Sequence, residues 1–78
     1  MKKIQILGTG CPKCAKLAEN AQLAVHRLGI AAEVEKITDI HKIVEFGVMM
    51  TPGLAVDGEV KSTGKLLDVD EIVKLLGA

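Results

Sequence analysis

Alternating and helical spacings of apolar side chains divide the chain into short segments of regular structure. In Lys2–Leu7, Ile4 and Ile6 alternate with polar residues, which predicts a strand. A helix is expected from Pro12, because proline suits the first helical position, and Gly29 is a natural stop at its C-terminus. The apolar positions of this helix recur at helical spacing: Leu17, Ala21, Ala24 and Leu28.

The middle of the chain predicts a second strand and a second helix. Ala31–Ile37 alternates apolar and polar residues between turn signals, which is typical of a strand. A short helix is expected from about Asp39, with Asp39 or Thr38 as its N-terminal cap, and it should end near Gly47. Three residues form its apolar stripe: Ile40, Ile43 and Val44.

The next segments predict a β-hairpin. Leu54–Val56 has the composition of a strand, and the sequence EVKST at 59–63 supplies the returning strand. Asp57 and Gly58 lie between them, and an Asp-Gly pair is a strong hairpin signal because it adopts the tight turn that joins two antiparallel strands.

The final helix completes a β-α-β-α-β-β-α order. It opens at Asp68, has Glu71 at the spacing of a capping box, and stops at Gly77. This order predicts an α/β fold with a four-stranded mixed sheet flanked by helices. The first three segments would form a right-handed βαβ unit with parallel strands, and the hairpin would add an antiparallel edge. A chain of 78 residues has room for one domain, which is expected to span residues 1–78.

Composition and charge limit the functions that suit such a fold. The 49% hydrophobic and 26% charged fractions are those of an ordinary globular domain. Ten basic and ten acidic residues cancel, so net charge favours neither nucleic acid nor a membrane surface as a partner. The first apolar run is too short for a secretory signal or a membrane span, and a cytoplasmic location is therefore expected.

Candidate chemistry is concentrated in the only two cysteines, Cys11 and Cys14, at the end of the first predicted strand. A bridge between such close neighbours would close too small a loop to hold distant elements together. If Pro12 begins the helix, the two β-carbons are ~5–6 Å apart on one face, and a small rotamer change closes a disulfide. Open α/β sheets place their sites at this end of a strand. The pair therefore predicts reversible thiol chemistry.

Cys11 is the candidate nucleophile of the pair. It would lie at the positive end of the helix dipole, among backbone N–H groups and beside Lys13, and these features favour a thiolate. A pKa shift from ~8.5 to ~7 raises the thiolate fraction at pH 7 from roughly 3% to roughly 50%. Intrinsic nucleophilicity falls at the same time, which leaves a gain of roughly threefold. The larger benefit is that Cys11 becomes a good leaving group when Cys14 resolves a mixed disulfide.

Three other roles remain open for the two cysteines. They could be core packing, since free cysteine is among the most buried residue types. A structural zinc site would need four ligands, and the other candidates, His26 and His41, are predicted to lie far from the pair. A soft-metal chaperone that holds Cu(I) between two thiolates also fits their spacing.

Further segments give the chain a family likeness. It resembles the thioredoxin-like superfamily, and most closely the small glutaredoxin-like redox-active disulfide proteins. The likeness rests on the strand KKIQIL, the motif CPKC, the TP of MMTPGLAVDGEV and the glycine of STGKLLDVDEIVKLL, and it covers nearly the whole chain. Metal chaperones are similar near their cysteines, but they end on a strand, whereas this chain is predicted to end on a helix.

The resemblance implies a thiol-disulfide oxidoreductase of the thioredoxin type that reduces protein disulfides. Cys11 would attack the substrate disulfide and Cys14 would resolve the mixed disulfide, with no cofactor besides this redox-active pair and no metal. Pro52 would be a cis-proline beside the pair, and Thr51 would present its backbone to an extended substrate segment. Three further residues would complete the site: Gly10, Pro12 and Lys13.

The resemblance also implies partners. The substrate would be a disulfide-containing protein, and the electron donor would be a thioredoxin-reductase-like protein or glutathione, with the chain acting as a monomer. Of the double glycine that glutaredoxins commonly use for glutathione, only Gly64 is present, followed by Asp68, which weakens the expectation of glutathione binding. A Cu(I) chaperone and a redox-switched adaptor remain the alternative functions.

Two methionines and one aromatic residue complete the expectations. Met49 and Met50 could form a sulfur-rich surface for a partner, but irregular filling of the core is the preferred interpretation because methionine is flexible and apolar. Phe46 is the only aromatic residue and is expected to anchor the core.

Overall fold

The strands and helices follow the predicted order. The structure, a computed structural model, describes residues 2–77. Its elements are β1 (Lys2–Leu7), α1 (Pro12–Leu28), β2 (Ala32–Ile37), α2 (Ile40–Glu45), β3 (Gly53–Val56), β4 (Glu59–Thr63) and α3 (Val69–Leu75). The predicted α/β fold is confirmed, and the bounds of the elements differ from the predicted ones by only one or two residues.

The four strands form one mixed sheet in the order β2-β1-β3-β4. β1 is parallel to β2 and antiparallel to β3, and Ile6 lies between Lys36 on one side and Leu54 on the other. β3 and β4 are antiparallel, with an irregularity in their register between Leu54 and Ala55. β1 therefore lies inside the sheet, and its carboxyl end leads into the cysteine motif.

Side-chain caps fix the starts of the two shorter helices. Asp39 caps α2 by accepting a hydrogen bond of 2.9 Å from the backbone N–H of His41, so Asp39 and not Thr38 is the cap. Asp68 and Glu71 form the predicted capping box of α3. In it, Asp68 accepts from the N–H of Glu71 at 2.8 Å, and Glu71 accepts from the N–H of Asp68 at 3.2 Å.

The sheet has two faces, which we name for the helices that cover them. The α1/α3 face carries the larger apolar cluster: Ile4, Ile6, Leu17, Ala18, Ala21, Ala24, Leu54, Val56, Leu67, Ile72 and Leu76. The α2 face carries a smaller one: Leu7, Ile37, Ile43, Val48 and Ala55, with Phe46 and Val60 packed against it. Strand residues alternate between the two faces, as the period of two requires.

A buried polar side chain ties α1 to the segment that precedes α3. The side-chain amide of Asn20 donates a hydrogen bond of 2.9 Å to the backbone oxygen of Leu67. Asn20 is 8% exposed, and it lies on the buried side of α1 among apolar residues. Because a buried polar group without a partner is costly, this bond fixes how the chain enters α3.

The expectation for the methionines was wrong. Met49 is 87% exposed and Met50 is 66% exposed, and neither belongs to an apolar cluster. Both lie in the loop that links α2 to β3, which leaves the α2 face before it returns to the sheet. Their sulfur atoms are consequently part of the surface.

The predicted apolar stripe of α2 is only partly buried. Ile43 is buried on the sheet, whereas Ile40 is 56% exposed and Val44 is 57% exposed. A helix of six residues makes fewer than two turns, so it offers one position to the sheet rather than a continuous stripe. Phe46 packs against the cluster of the α2 face while it remains half-buried.

Candidate functional site

A short turn connects the carboxyl end of β1 to the start of α1. Gly8 continues the strand by donating a hydrogen bond of 3.0 Å to the backbone oxygen of Ile37. Gly10 has a φ of 97°, a conformation that residues with a side chain rarely adopt, and it turns the chain into the helix. Cys11 is then the extended N-terminal cap residue, and Pro12 is in the first turn.

The two cysteines occupy different environments within this first turn. Cys11 is half-buried and Cys14 is 6% exposed, and both thiols are free. The backbone N–H of Cys14 donates to the sulfur of Cys11 over 3.2 Å. The sulfur of Cys11 therefore takes the position that an oxygen has in an ordinary helix cap.

These environments move the two pKa values in opposite directions. The thiol of Cys14 and, next, its backbone N–H lower the pKa of Cys11, because hydrogen bonds to a thiolate favour the charged form. Burial raises the pKa of Cys14, and the neighbouring Cys11 raises it further. The pair thus combines an accessible sulfur whose surroundings favour the thiolate with a buried sulfur whose surroundings favour the thiol.

Gly8 makes room for the buried sulfur. A β-carbon built on Gly8 would lie 2.2 Å from Sγ of Cys14, a distance that atoms not bonded to each other do not adopt, and 3.0 Å from its Cβ, which is a tight contact. Gly8 lies on the same face of β1 as Ile4 and Ile6, so the missing side chain leaves a space that Cys14 fills. The sequence alone does not indicate that Gly8 belongs to the site, because its contact with Cys14 depends on the packing of α1 on β1.

The loop before β3 meets the cysteine motif at this point. The peptide bond between Thr51 and Pro52 is cis, the geometry that the family resemblance implies. Thr51 is exposed while Pro52 is buried. The Cβ of Thr51 lies 3.9 Å from the position that a Gly8 side chain would take, next to Cys14. The structure thus brings Thr51 and Pro52 close to the two cysteines from about forty positions away in the chain.

A second glycine, Gly64, supports this loop. Its backbone N–H lies 2.8 Å from the oxygen of Pro52 and 3.1 Å from that of Met50 and donates to both. Gly64 has a φ of 66°, and a β-carbon there would lie 3.1 Å from Cβ of Met50. From the sequence, Gly64 is part of the family likeness and the remnant of a glutathione-binding pair, whereas in the structure it holds the loop that carries Pro52.

The remaining candidate residues surround Cys11 on the surface. Gly10, Pro12 and Lys13 are all exposed, so each is available to a partner that approaches Cys11. The backbone N–H of Lys13 is one of the groups that lower the pKa of Cys11, after the thiol and the backbone N–H of Cys14. The local backbone and Cys14 therefore favour the Cys11 thiolate.

Metal-ligating side chains do not gather into a larger cluster in the part of the chain that the structure describes. Within residues 2–77, His, Cys, Asp and Glu side chains form no group of three or more that could hold a metal ion. His26 and His41 are both exposed, on α1 and α2. Over the same residues, each helix is too short or too polar to cross a bilayer.

The chain is similar to known proteins over nearly its whole length. The thioredoxin domain family matches residues 2–77. A thioredoxin of Methanothermobacter thermautotrophicus is 53% identical over 76 residues, which are 97% of this chain and 99% of the relative. A thioredoxin of Methanocaldococcus jannaschii is 49% identical over 72 residues, which are 92% of this chain and 83% of the relative.

Proposed function

This chain belongs to the thioredoxin family and is a thiol-disulfide oxidoreductase, and from that premise we propose that Cys11 is the attacking thiol and Cys14 the resolving thiol. The observation that carries the assignment is the unequal setting of the two sulfurs. Cys11 is accessible with a lowered pKa, and Cys14 is buried with a raised one. A nucleophile needs both access and thiolate character, and only Cys11 has both.

The proposed reaction runs in two exchanges. The Cys11 thiolate attacks one sulfur of a substrate disulfide, forms a mixed disulfide and releases the first substrate thiolate. Cys14 then loses its proton and attacks Sγ of Cys11, which forms the Cys11–Cys14 disulfide and releases the second substrate thiolate. Both released thiolates take protons from solvent. The substrate gains two electrons and the cysteine pair is oxidised, so no metal or other cofactor is needed.

The negative charge of the Cys11 thiolate controls when Cys14 can attack in the second exchange. A Cys11 thiolate raises the pKa of Cys14, which keeps Cys14 protonated while Cys11 is free. Once Cys11 is joined to the substrate, that negative charge is gone, and the pKa of Cys14 falls. Cys14 therefore becomes a better nucleophile only after there is a mixed disulfide for it to resolve.

The substrate class that suits this site is a disulfide-containing protein. Thr51 is exposed beside the cysteines, and Met49 and Met50 add apolar surface next to it. An extended segment that carries the disulfide can lie along the backbone of Thr51 with its sulfur near Cys11. Thr51 and Pro52 are thus proposed as substrate-positioning residues, and Gly10, Pro12 and Lys13 as the rim around the attacking sulfur.

After each reaction the oxidised Cys11–Cys14 pair must be reduced again by an electron donor. A thioredoxin-reductase-like protein, or glutathione, is the proposed electron donor, and the chain is proposed to act as a monomer in the cytoplasm. The two donors are distinguished by supplying each, with its own reductase, to the oxidised protein and following the return of free thiols.

The assignment is tested by alkylation of the reduced protein over a range of pH. Alkylation requires the thiolate, so a lowered pKa makes Cys11 react at lower pH, and a raised pKa delays Cys14 to higher pH. Peptide mass spectrometry separates the two cysteines. If both titrate alike near ~8.5, the division of roles is wrong.

Single substitutions give an independent test of the same assignment. Cys11→Ser should abolish disulfide reduction, while Cys14→Ser should still attack and should accumulate the mixed disulfide because nothing resolves it. Trapped adducts are visible by mass. A Cys11→Ser protein that reduces disulfides at the parent rate contradicts the proposal.

A further inference from the structure

An open groove lies between β4 and α3, along one edge of the sheet, and we name it the β4/α3 groove. Its volume is about 400 Å³, which lies within the range of about 300–1,000 Å³ that ligand sites occupy. Lys61 and Ser62 line it from β4, and Glu71, Lys74 and Leu75 line it from α3. The groove thus has a cationic side chain on each wall.

An irregularity in β4 brings two neighbouring side chains to this groove. Ser62 pairs with Leu54, whose side chain belongs to the cluster of the α1/α3 face, so Ser62 lies on that face. In a regular strand Lys61 would point the opposite way. The register shift leaves Lys61 without a partner on β3, as in a β-bulge, and such bulges redirect side chains. Lys61 also lines the groove, with its side chain only 33% exposed.

The base of the groove is apolar, and its single carboxylate is already bound. Leu67 is buried, and Leu75 packs against the larger apolar cluster. The carboxylate of Glu71 accepts a hydrogen bond of 3.2 Å from the backbone N–H of Asp68, and its other oxygen lies 3.0 Å from Nζ of Lys65. The charges of Lys65 and Glu71 therefore balance each other.

The other two lysines of the groove are available to a ligand. Nζ of Lys61 lies 2.9 Å from the carboxylate of Glu59, but Glu59 is 74% exposed, and exposed ion pairs of this kind exchange at little cost. Lys74 takes part in none of the ion pairs formed among residues 2–77. Two ammonium groups therefore face an apolar base from opposite walls, an arrangement that suits two carboxylates with an apolar group between them.

The strand that forms one wall ends at the cis-proline loop. Thr63, the last residue of β4, pairs with Gly53, and the next residue, Gly64, donates a hydrogen bond of 2.8 Å to the backbone oxygen of Pro52. A partner seated in the groove is consequently led by β4 to the loop that carries the proposed substrate-positioning residues.

We propose that the β4/α3 groove docks an acidic segment of the protein whose disulfide is exchanged. Carboxylates of that segment pair with Lys61 and Lys74, and an apolar side chain between them packs on Leu67 and Leu75. The inference rests on the proposed function, which supplies the partner. Docking away from the reacting sulfurs strengthens binding of substrate and transition state equally, so it lowers KM and leaves kcat unchanged.

A peptide titration followed by NMR tests the site. The probe is the peptide Gly-Glu-Asp-Leu-Glu-Asp-Gly, and the largest shifts of amide signals in the isotope-labelled protein should fall on Lys61, Ser62 and Lys74. Lys61→Gln and Lys74→Gln should each raise the Kd of the peptide roughly two- to fivefold, the range of an exposed ion pair. Lys42→Gln changes the net charge equally at an exposed position of α2 outside the groove, and it should leave the Kd unchanged.

Changes in the probe test the chemistry of the segment. A peptide with Gln and Asn in place of its acids should lose binding, and a peptide with Ser in place of Leu should bind more weakly because it leaves the apolar base uncovered. Added salt should weaken binding of the acidic peptide, because salt screens exposed charges.

The link to disulfide exchange is tested by single-turnover kinetics with the reduced protein. The substrate is a short peptide with an internal disulfide, joined by a flexible Gly-Ser linker to the acidic segment or to its amide analogue. The acidic tail should lower, several-fold, the peptide concentration that gives half the maximal rate, with the maximal rate unchanged. The double variant Lys61→Gln/Lys74→Gln should remove the difference between the two tails.

Two results would overturn the inference. One is an equal Kd for the parent, Lys61→Gln and Lys74→Gln, and self-association of these variants in sedimentation would then assign the lysines to protection of the sheet edge. The other is the same half-saturation for both tails. Failure of the proposed function is a different result, because Cys11→Ser would then still reduce disulfides, whereas the titration peptide has no cysteine and binds without either thiol.

Discussion

The α1/α3 face and the α2 face differ in how much of the sheet they cover and in what lies at their borders. Two helices and the larger apolar cluster bury the first face, and the side-chain amide of Asn20 joins α1 to the segment before α3. One six-residue helix covers the second, and Ile40, Val44, Met49 and Met50 stay exposed there or in the loop that follows.

This difference separates stability from contact with partners. Burial of apolar surface is the main favourable term in folding, so most of the stability should come from the α1/α3 face. The exposed apolar residues on and after α2 contribute little to folding. They are instead available to a partner, and Met49 and Met50 come directly before Thr51, one of the proposed substrate-positioning residues.

The largest expected effect comes from a cavity in the α1/α3 face. Leu17→Ala removes a fully buried side chain of α1 and should lower the free energy of unfolding by about 2–5 kcal/mol. Urea denaturation followed by circular dichroism measures it. Met49→Ala is the control, with an expected change within about 0.5 kcal/mol. Equal losses in the two variants would remove the distinction between the regions.

The next largest effect is expected at Gly8, which lies against Cys14 where α1 packs on the sheet. Gly8→Ala forces Sγ of Cys14 away from a β-carbon that would lie 2.2 Å from it. Misplacement of a reacting atom by about 1 Å can cost about 10²-fold in rate. Resolution of the mixed disulfide should therefore slow strongly, while the first attack by Cys11 is affected less. Equal slowing of both steps would show a general structural fault.

A smaller effect is expected at the start of α3. Asp68→Ala removes the capping box and should lower the free energy of unfolding by about 1 kcal/mol. Lys65, and then the backbone N–H of Asp68, lower the pKa of Glu71. Because the pKa of Glu71 is lowered in the folded state, its carboxylate stabilises the fold. This stabilisation is complete above the pKa of the unfolded carboxyl group and is lost as pH falls through the lowered folded value. Denaturation at several pH values should show this loss in the parent protein and not in Glu71→Gln.

The smallest effects should come from the exposed positions of α2. Ile40→Ala and Val44→Ala should each change the free energy of unfolding by less than about 0.5 kcal/mol, because their side chains are more than half exposed. Ile43→Ala, in the same helix, should cost several times more, because Ile43 is 2% exposed. The same denaturation series compares all three, and similar losses would mean that α2 packs on the sheet over more of its surface.

Local patterns were enough to predict the order of the elements. The alternation of Ile4 and Ile6, the proline at the start of α1 and the Asp-Gly turn each depend on neighbours in sequence, and each prediction is confirmed. The motif CPKC also identified the two cysteines as a pair, since its spacing needs only one helical turn. Their unequal burial was not part of that pattern, because it depends on how α1 packs against β1.

Contacts between distant segments explain what the sequence did not predict. The exposure of Met49 and Met50 depends on the path of a loop, and an apolar composition is the same for a buried and an exposed methionine. The hydrogen bond from Asn20 to Leu67 joins residues 47 positions apart.

The space left by Gly8 makes positions 8 and 14 dependent on each other. The sulfur of Cys14 occupies the volume that a methyl group at position 8 would need. A chain that gains a side chain at the first position must shift or lose the sulfur at the second. An ordinary turn glycine can be replaced at a modest cost in folding free energy. Replacement of Gly8 also displaces the sulfur of Cys14, and it therefore changes the thiol chemistry as well.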